Sequence, residues 1–420
     1  MSDVRAHAPT VRSQFDGRDN SLNFLRLACA VVVLFVHAWA LGGYGVIHFA
    51  RYDPGTLAVD GFFVISGTLI TRSWCRLNSP VAFIWHRFLR IMPAFWMSLL
   101  LVAGVCAPIA WLHDNNSLRG YLSATPHGPV QYVTDNIVPK MHFYDIAGTP
   151  RGVPFPPAGS LIPSGWDDSL WTLYWELVAY FGVLVLGLTR VIPRRRWLVL
   201  LATVASWMVL LLHTIHPAFG GVLLNNQTIP TALRFGLLFL SGAVLSLYDD
   251  RIRLSARGAV AAAAGVFGAF FLSQPLLLIV PCFAYLMLWL GVHLPCARIG
   301  ARNDLSYGVY IYAFPIQQLF AVYGFYRYGF TAYFLATGAV AFAAAFISWN
   351  LVERPALMLK DGRRRRPAPV PISGRDAVPL AGIPAQAPAP AVESETVESS
   401  ALGVRATPAP ITSRTHDDPQ

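Results

Sequence analysis

Charge is scarce in this chain. Asp, Glu, Lys and Arg make up 13% of the 420 residues against 55% hydrophobic ones, about half the charged fraction of a soluble domain. With a mean hydropathy of +0.48, that shortage excludes a soluble Rossmann or barrel enzyme and points to an all-α integral membrane protein. Cysteine is sparse too: Cys29, Cys75, Cys106, Cys282 and Cys296 form no Cys-x-x-Cys and no Cys/His ligand spacing, so neither a disulfide framework nor a zinc site is implied. No small-residue cleavage site follows the first apolar run, which therefore reads as an uncleaved span rather than a signal peptide.

What the chain does have is long apolar runs. Ten of them (22–43, 55–73, 91–112, 169–189, 197–213, 231–248, 258–273, 275–293, 304–325 and 329–351) approach the ~20 residues a helix needs to cross about 30 Å of hydrocarbon. The formal charge of +10 does not imply nucleic-acid binding, because the basic residues sit in short clusters between the runs. With the amino terminus in the cytoplasm, 22 Lys/Arg fall on inner segments and five on outer ones. That asymmetry predicts about ten transmembrane helices with both termini cytoplasmic. The expected organisation is a cytoplasmic segment 1–20, a membrane domain 21–358 carrying an outer loop 113–168, and a Pro/Ala-rich tail 359–420, which buries too little apolar area to order itself.

Ionisable residues inside spans are costly and mark functional sites by default. Here they are Arg26, His37, Asp60, Glu176 and Arg234, with Arg87 and Arg90 at an inner mouth. Arg26 and His37 are eleven residues apart, which puts them within about 20° of one helix face and about 16 Å apart along the axis. Counting from the span ends sets His37, Asp60 and Glu176 at one depth and the three arginines at another, nearer the cytoplasm. Arginine forks suit the phosphates of an anionic donor, and an imidazole beside a carboxylate suits proton transfer. Each residue also has a structural reading: His37 as an interhelical hydrogen-bonder, Arg87 and Arg90 as topology anchors, Asp60 as a counter-charge to His37, and Glu176 with Arg234 as an ion pair. The loop residues His113, His127 and His142 have no ligand spacing.

Longer strings narrow the choice. LNFLRLACAVVVLFVHAW carries Arg-x10-His, VDGFFVISGTLITR carries an Asp with Phe-Phe-x-x-Ser-Gly, and FIWHRFLRIMPAFW carries Arg-x-x-Arg; SLWTLYWELVAYF, LSYGVYIYAFPIQQ and WNLVERPA follow in order. Together they resemble the acyltransferase 3 family of membrane acyltransferases over residues 21–358, nearest its exopolysaccharide and O-antigen (lipopolysaccharide) branch. The resemblance implies an O-acetyltransferase of the bacterial cytoplasmic (inner) membrane, moving acetyl from acetyl-CoA to a hydroxyl of a glycan or lipid-linked sugar. It further implies His37 as catalytic base with Asp60 or Glu176 tuning it, Arg26, Arg87, Arg90 and Ser66 in donor binding, and Glu353 as the acid before the final Pro. No metal and no nucleic acid are expected. Gly61 stands after Asp60 where the family commonly has a larger apolar residue, and the tail stands where longer members carry a periplasmic hydrolase-like domain, so the chain is expected either to act alone or to need a separate periplasmic partner. The competing class is a transporter or flippase, whose intramembrane charges would line a permeation path.

Overall fold

The computed structural model describes residue 11 and residues 20–50, 52–77, 79–155, 165–216, 218–221, 224, 228–272 and 276–360. Most of the amino-terminal segment 1–20 and almost all of the tail 359–420 lie outside the described residues. Among the described residues there are no named strands, and ten helices of fourteen residues or more follow the ten apolar runs. They are α1 Leu22–Leu41, α2 Pro54–Leu77, α3 Pro80–Leu101, α4 Trp171–Leu188, α5 Arg196–Ile215, α6 Thr228–Leu247, α7 Ala256–Ala269, α8 Leu276–His293, α9 Ser306–Val322 and α10 Phe330–Ser348. In lipid every backbone polar group must be satisfied within the segment, so apolar runs of this length close into helices.

Among the described residues, seven segments are long and apolar enough to cross a membrane, while Ala256–Ala269 and Leu278–His293 are shorter apolar helices. The chain is a multi-pass membrane protein. The third helix starts earlier than its apolar run, because Ser79 caps it through its Oγ at 3.4 Å from the Ala82 amide and Pro80 stands at its first position. Both are strong start signals, and they put Arg87 and Arg90 inside α3. A π turn, Val102–Cys106, carries α3 on into Ala107–Asn115, and a second, Trp349–Glu353, carries α10 into Arg354–Met358.

Hydrogen bonds between segments distant in sequence define two ends of the bundle. At one end the Val11 amide donates to Ile252 O, Ser21 to Leu294 O, Arg72 pairs with Asp249 at 2.9 Å and Arg196 with Asp250 at 2.9 Å. At the other, Tyr44 donates to Tyr326 O and Gln318 to Gly165 O. Helix α9 is the axis: fifteen of its seventeen residues are buried. Helix α5 is apolar yet has only Val199 buried among its residues, as befits a helix facing lipid. Where α2 crosses α6, a Cβ on Gly67 would overlap the Phe239 carbonyl and one on Gly242 the Val64 carbonyl. These glycines bring two backbones together in the manner usual for membrane helices.

From the described part of residues 113–168, Tyr132, Ile146 and Trp166 join the main core with no exposed surface. Tyr132 donates to the carboxylate of Asp167 at 2.7 Å, and Trp166 to Thr149 Oγ1. Burial raises the Asp167 carboxyl to about 8, against the opposing pull of the Tyr132 hydrogen bond.

Candidate active site

Helix α1 carries Arg26 in its second turn and His37 near its far end, and each lines its own cavity. The Arg26 cavity, about 40 Å³, is bounded by Ser66, Thr172, Glu176, Tyr307 and Tyr310 among others, with room for about three waters. The His37 cavity, about 180 Å³, is bounded by Asp53, Thr56, Trp171, Thr172, Arg234 and Tyr310 among others. That exceeds the ~150 Å³ known to admit a benzene ring. Val59, Thr172 and Tyr310 line both cavities. The partition is hydrogen-bonded: the Tyr310 hydroxyl lies 2.6 Å from Thr172 Oγ1 and donates to Ser169 O at 3.0 Å.

At the Arg26 end, Arg26 and Arg90 converge on one carboxylate, Asp304, at 2.9 and 2.5 Å. Asp304 also accepts from Ser306 Oγ at 2.6 Å, so it is fixed by the start of α9. The second π turn brings Glu353, 2% exposed, to 3.8 Å from Arg90. Arg87 differs from its neighbour. Its guanidinium reaches Ser73 Oγ at 3.5 Å and lies 5.7 Å from the Tyr180 ring, and among the described residues no carboxylate forms an ion pair with it. Tyr180 in turn donates to Glu176, which accepts from Ser66 at 3.4 Å.

His37 is half-buried, with its ring edge-on to Phe314 at 5.0 Å between centroids. No described residue hydrogen-bonds to its ring nitrogens, which leaves an imidazole free to exchange a proton with a cavity occupant. Asp60 has no exposed surface and is engaged elsewhere: it pairs with Arg234 at 2.5 Å and accepts from Tyr52.

Three groupings therefore differ from those read along the chain. Glu176 lines the cavity of Arg26, not that of His37. Arg234 pairs with Asp60 and not with Glu176, and Asp60 is not a lining residue of the His37 cavity. Depth along a span ranks residues by height but does not say which helix stands opposite.

Two carboxylates of the site, Asp53 and Asp304, stand in none of the motifs of the sequence. Their only signal is local: Asp53 precedes Pro54, and Asp304 stands two residues before Ser306, at helix starts. In the loop, His127 pairs with Asp145 at 2.7 Å and stacks on Phe143, away from both cavities.

Residues 19–350 match the family described as "Acyltransferase domain". The chain is 26% identical over 352 residues to an "O-acetyl transferase" of Shigella phage Sf6, covering 80% of this chain and 96% of that protein. It is 27% identical over 368 residues to "Nodulation protein 10" of Rhizobium leguminosarum bv. viciae, covering 82% and 95%. No solved structure matches it significantly.

Proposed function

This chain belongs to the acyltransferase 3 family of membrane acyltransferases, and from that premise we propose that it is an O-acetyltransferase carrying acetyl from acetyl-CoA to a hydroxyl of an exported or cell-surface glycan. The likeness to an O-acetyl transferase over nearly all of that protein's length supports the reaction. The observation that carries the reading is the pair of cavities on α1, one with Arg26 and one with His37, which share Val59, Thr172 and Tyr310 as lining residues.

In this reading both termini are cytoplasmic and the membrane is the bacterial inner membrane. Arg87, paired with no carboxylate among the described residues, meets the donor's phosphates, and Arg26 with Ser66 lines the way for the thioester arm. The 40 Å³ cavity is too small for that arm, so donor binding requires the Tyr310–Thr172 partition to part. His37 then takes the proton of the acceptor hydroxyl as its oxygen attacks the thioester carbon. The carbon–sulfur bond breaks, and the departing thiolate receives the proton, which leaves an ester and free CoA. A positioned base contributes typically 10²- to 10⁴-fold.

The test is incorporation of labelled acetyl from acetyl-CoA into glycan by membranes containing this protein alone, beside membranes with His37→Ala. Label in the first and background in the second is expected. Full incorporation by a normally inserted His37→Ala would remove His37 from the chemistry. No incorporation by the wild-type chain with movement of intact glycan across the membrane would make it a flippase.

A further inference from the structure

The imidazole of His37 lacks a carboxylate partner in both places the chain order suggested, because Asp60 is consumed by Arg234 and Tyr52 and Glu176 sits behind the partition. One carboxylate does share its cavity. Asp53 lines the same 180 Å³ space. Building on the acyl-transfer reading above, we infer that Asp53 is a positioning residue, its charge stabilising the imidazolium that forms when His37 takes the hydroxyl proton.

Asp53 is held firmly for that purpose. One of its oxygens accepts from the Gly55 amide at 3.1 Å; the other accepts from the Thr56 amide and the Thr56 hydroxyl, both at 2.8 Å. A carboxylate offers about four acceptor positions, so three bonds fix its orientation and leave capacity toward the cavity. The contact with α1 is close as well. A Cβ on Gly55 would press on both Asp53 Oδ2 and Val36, each 3.3 Å away, and Val36 is the residue before His37. The absence of a side chain at Gly55 thus lets the start of α2 abut α1 beside the imidazole. A carboxylate on a rigid helix start costs no reorganisation when charge appears opposite it.

The bland role for Asp53 is capping α2, and the two roles separate by substitution, because Asn and Ser cap helices about as well as Asp but carry no charge. Asp53→Asn, Asp53→Ser and Asp53→Ala are compared in the full-length protein for kcat, for KM of acetyl-CoA and for melting temperature in detergent. Positioning predicts that all three lose kcat by roughly 10- to 100-fold, a part of what the base contributes, with donor KM unchanged. Asn and Ser, unlike Ala, keep the melting temperature. Wild-type kcat in either capping variant overturns the inference. A stable Thr56→Val, which removes one of the three bonds that fix Asp53 but keeps its amide bonds and its charge, is expected to lose a smaller part of kcat, and no loss there also counts against it. The His37→Ala control separates the two levels: transfer that survives without His37 refutes the underlying reading, whereas an inactive His37→Ala beside a fully active Asp53→Asn refutes only the role of Asp53.

Discussion

The two arginines of the Arg-x-x-Arg string illustrate how little a residue's type says about its work. Arg90 shares Asp304 with Arg26 and approaches buried Glu353, so Arg90→Ala leaves Glu353 unpaired and is expected to cost about 3–5 kcal/mol of stability. Arg87 carries no such obligation. Arg87→Ala should fold normally and raise KM for acetyl-CoA by about 10- to 100-fold, the equivalent of one charge-assisted contact of ~1.5–3 kcal/mol. Lysine at 87 should rescue only in part, lacking the planar fork. Detergent melting curves and donor titrations on the two variants check both halves, and an unstable Arg87→Ala or a stable Arg90→Ala with raised KM would reverse the assignment. Asp60 falls with Arg90. Its removal strands Arg234, so Asp60→Ala is expected to lower stability by about 3–5 kcal/mol, whereas Asp60→Ala with wild-type stability and no transfer would return Asp60 to the chemistry.

At the scale of elements, the helices were legible because a membrane span has few alternatives: an apolar run of the right length has to be a helix. The pairing of helices was not. An eleven-residue spacing correctly predicts that Arg26 and His37 share α1 and a side of it, since both cavities adjoin through Val59, Thr172 and Tyr310. Nothing in the order of residues says that α6 would bring Arg234 to Asp60, or that a π turn would swing Glu353 toward Arg90. Gly67 and Gly242, which set the closeness of α2 and α6, read in sequence as one motif glycine and one unremarked glycine. Nor does the order of residues say that Tyr132, Ile146 and Trp166 of the loop 113–168 would join the main core.

That loop carries a pH dependence of definite sign. Asp167 titrates near 8 when folded because burial disfavours its charge, against about 3.9 in an unfolded chain. The folded state therefore holds the proton more tightly, and the associated stability, complete below pH ~4, is lost as pH rises toward 8. Hydrogen exchange of residues 129–150 is expected to quicken between pH 5 and 8 beyond its intrinsic rise, and Asp167→Asn should flatten that excess. Protection that grows with pH would contradict the assignment.

For the whole molecule, the apolar exterior and the polar interior divide the labour. Large side chains such as Phe181, Trp197, Leu201 and Leu335 are more than half exposed, where a soluble protein would cover them, while the ionisable groups turn inward around α9. In the acyl-transfer reading, the two cavities form a path that admits a donor from the end where Arg26, Arg90 and Asp304 meet and an acceptor from the end where His37 and Asp53 lie. Because α1 rises about 1.5 Å per residue, the two ends of the path are some 16 Å apart, far enough for a thioester arm to be useful and a diffusing acyl group not to be.

The central claim is that donor and acceptor reach His37 from opposite faces of the membrane. Sealed vesicles of known orientation, containing this protein and its glycan acceptor, are given labelled acetyl-CoA on one face at a time. The account predicts ester formation only with donor on the cytoplasmic face, together with product glycan on the other. Transfer with acetyl-CoA supplied solely on the periplasmic face would contradict it.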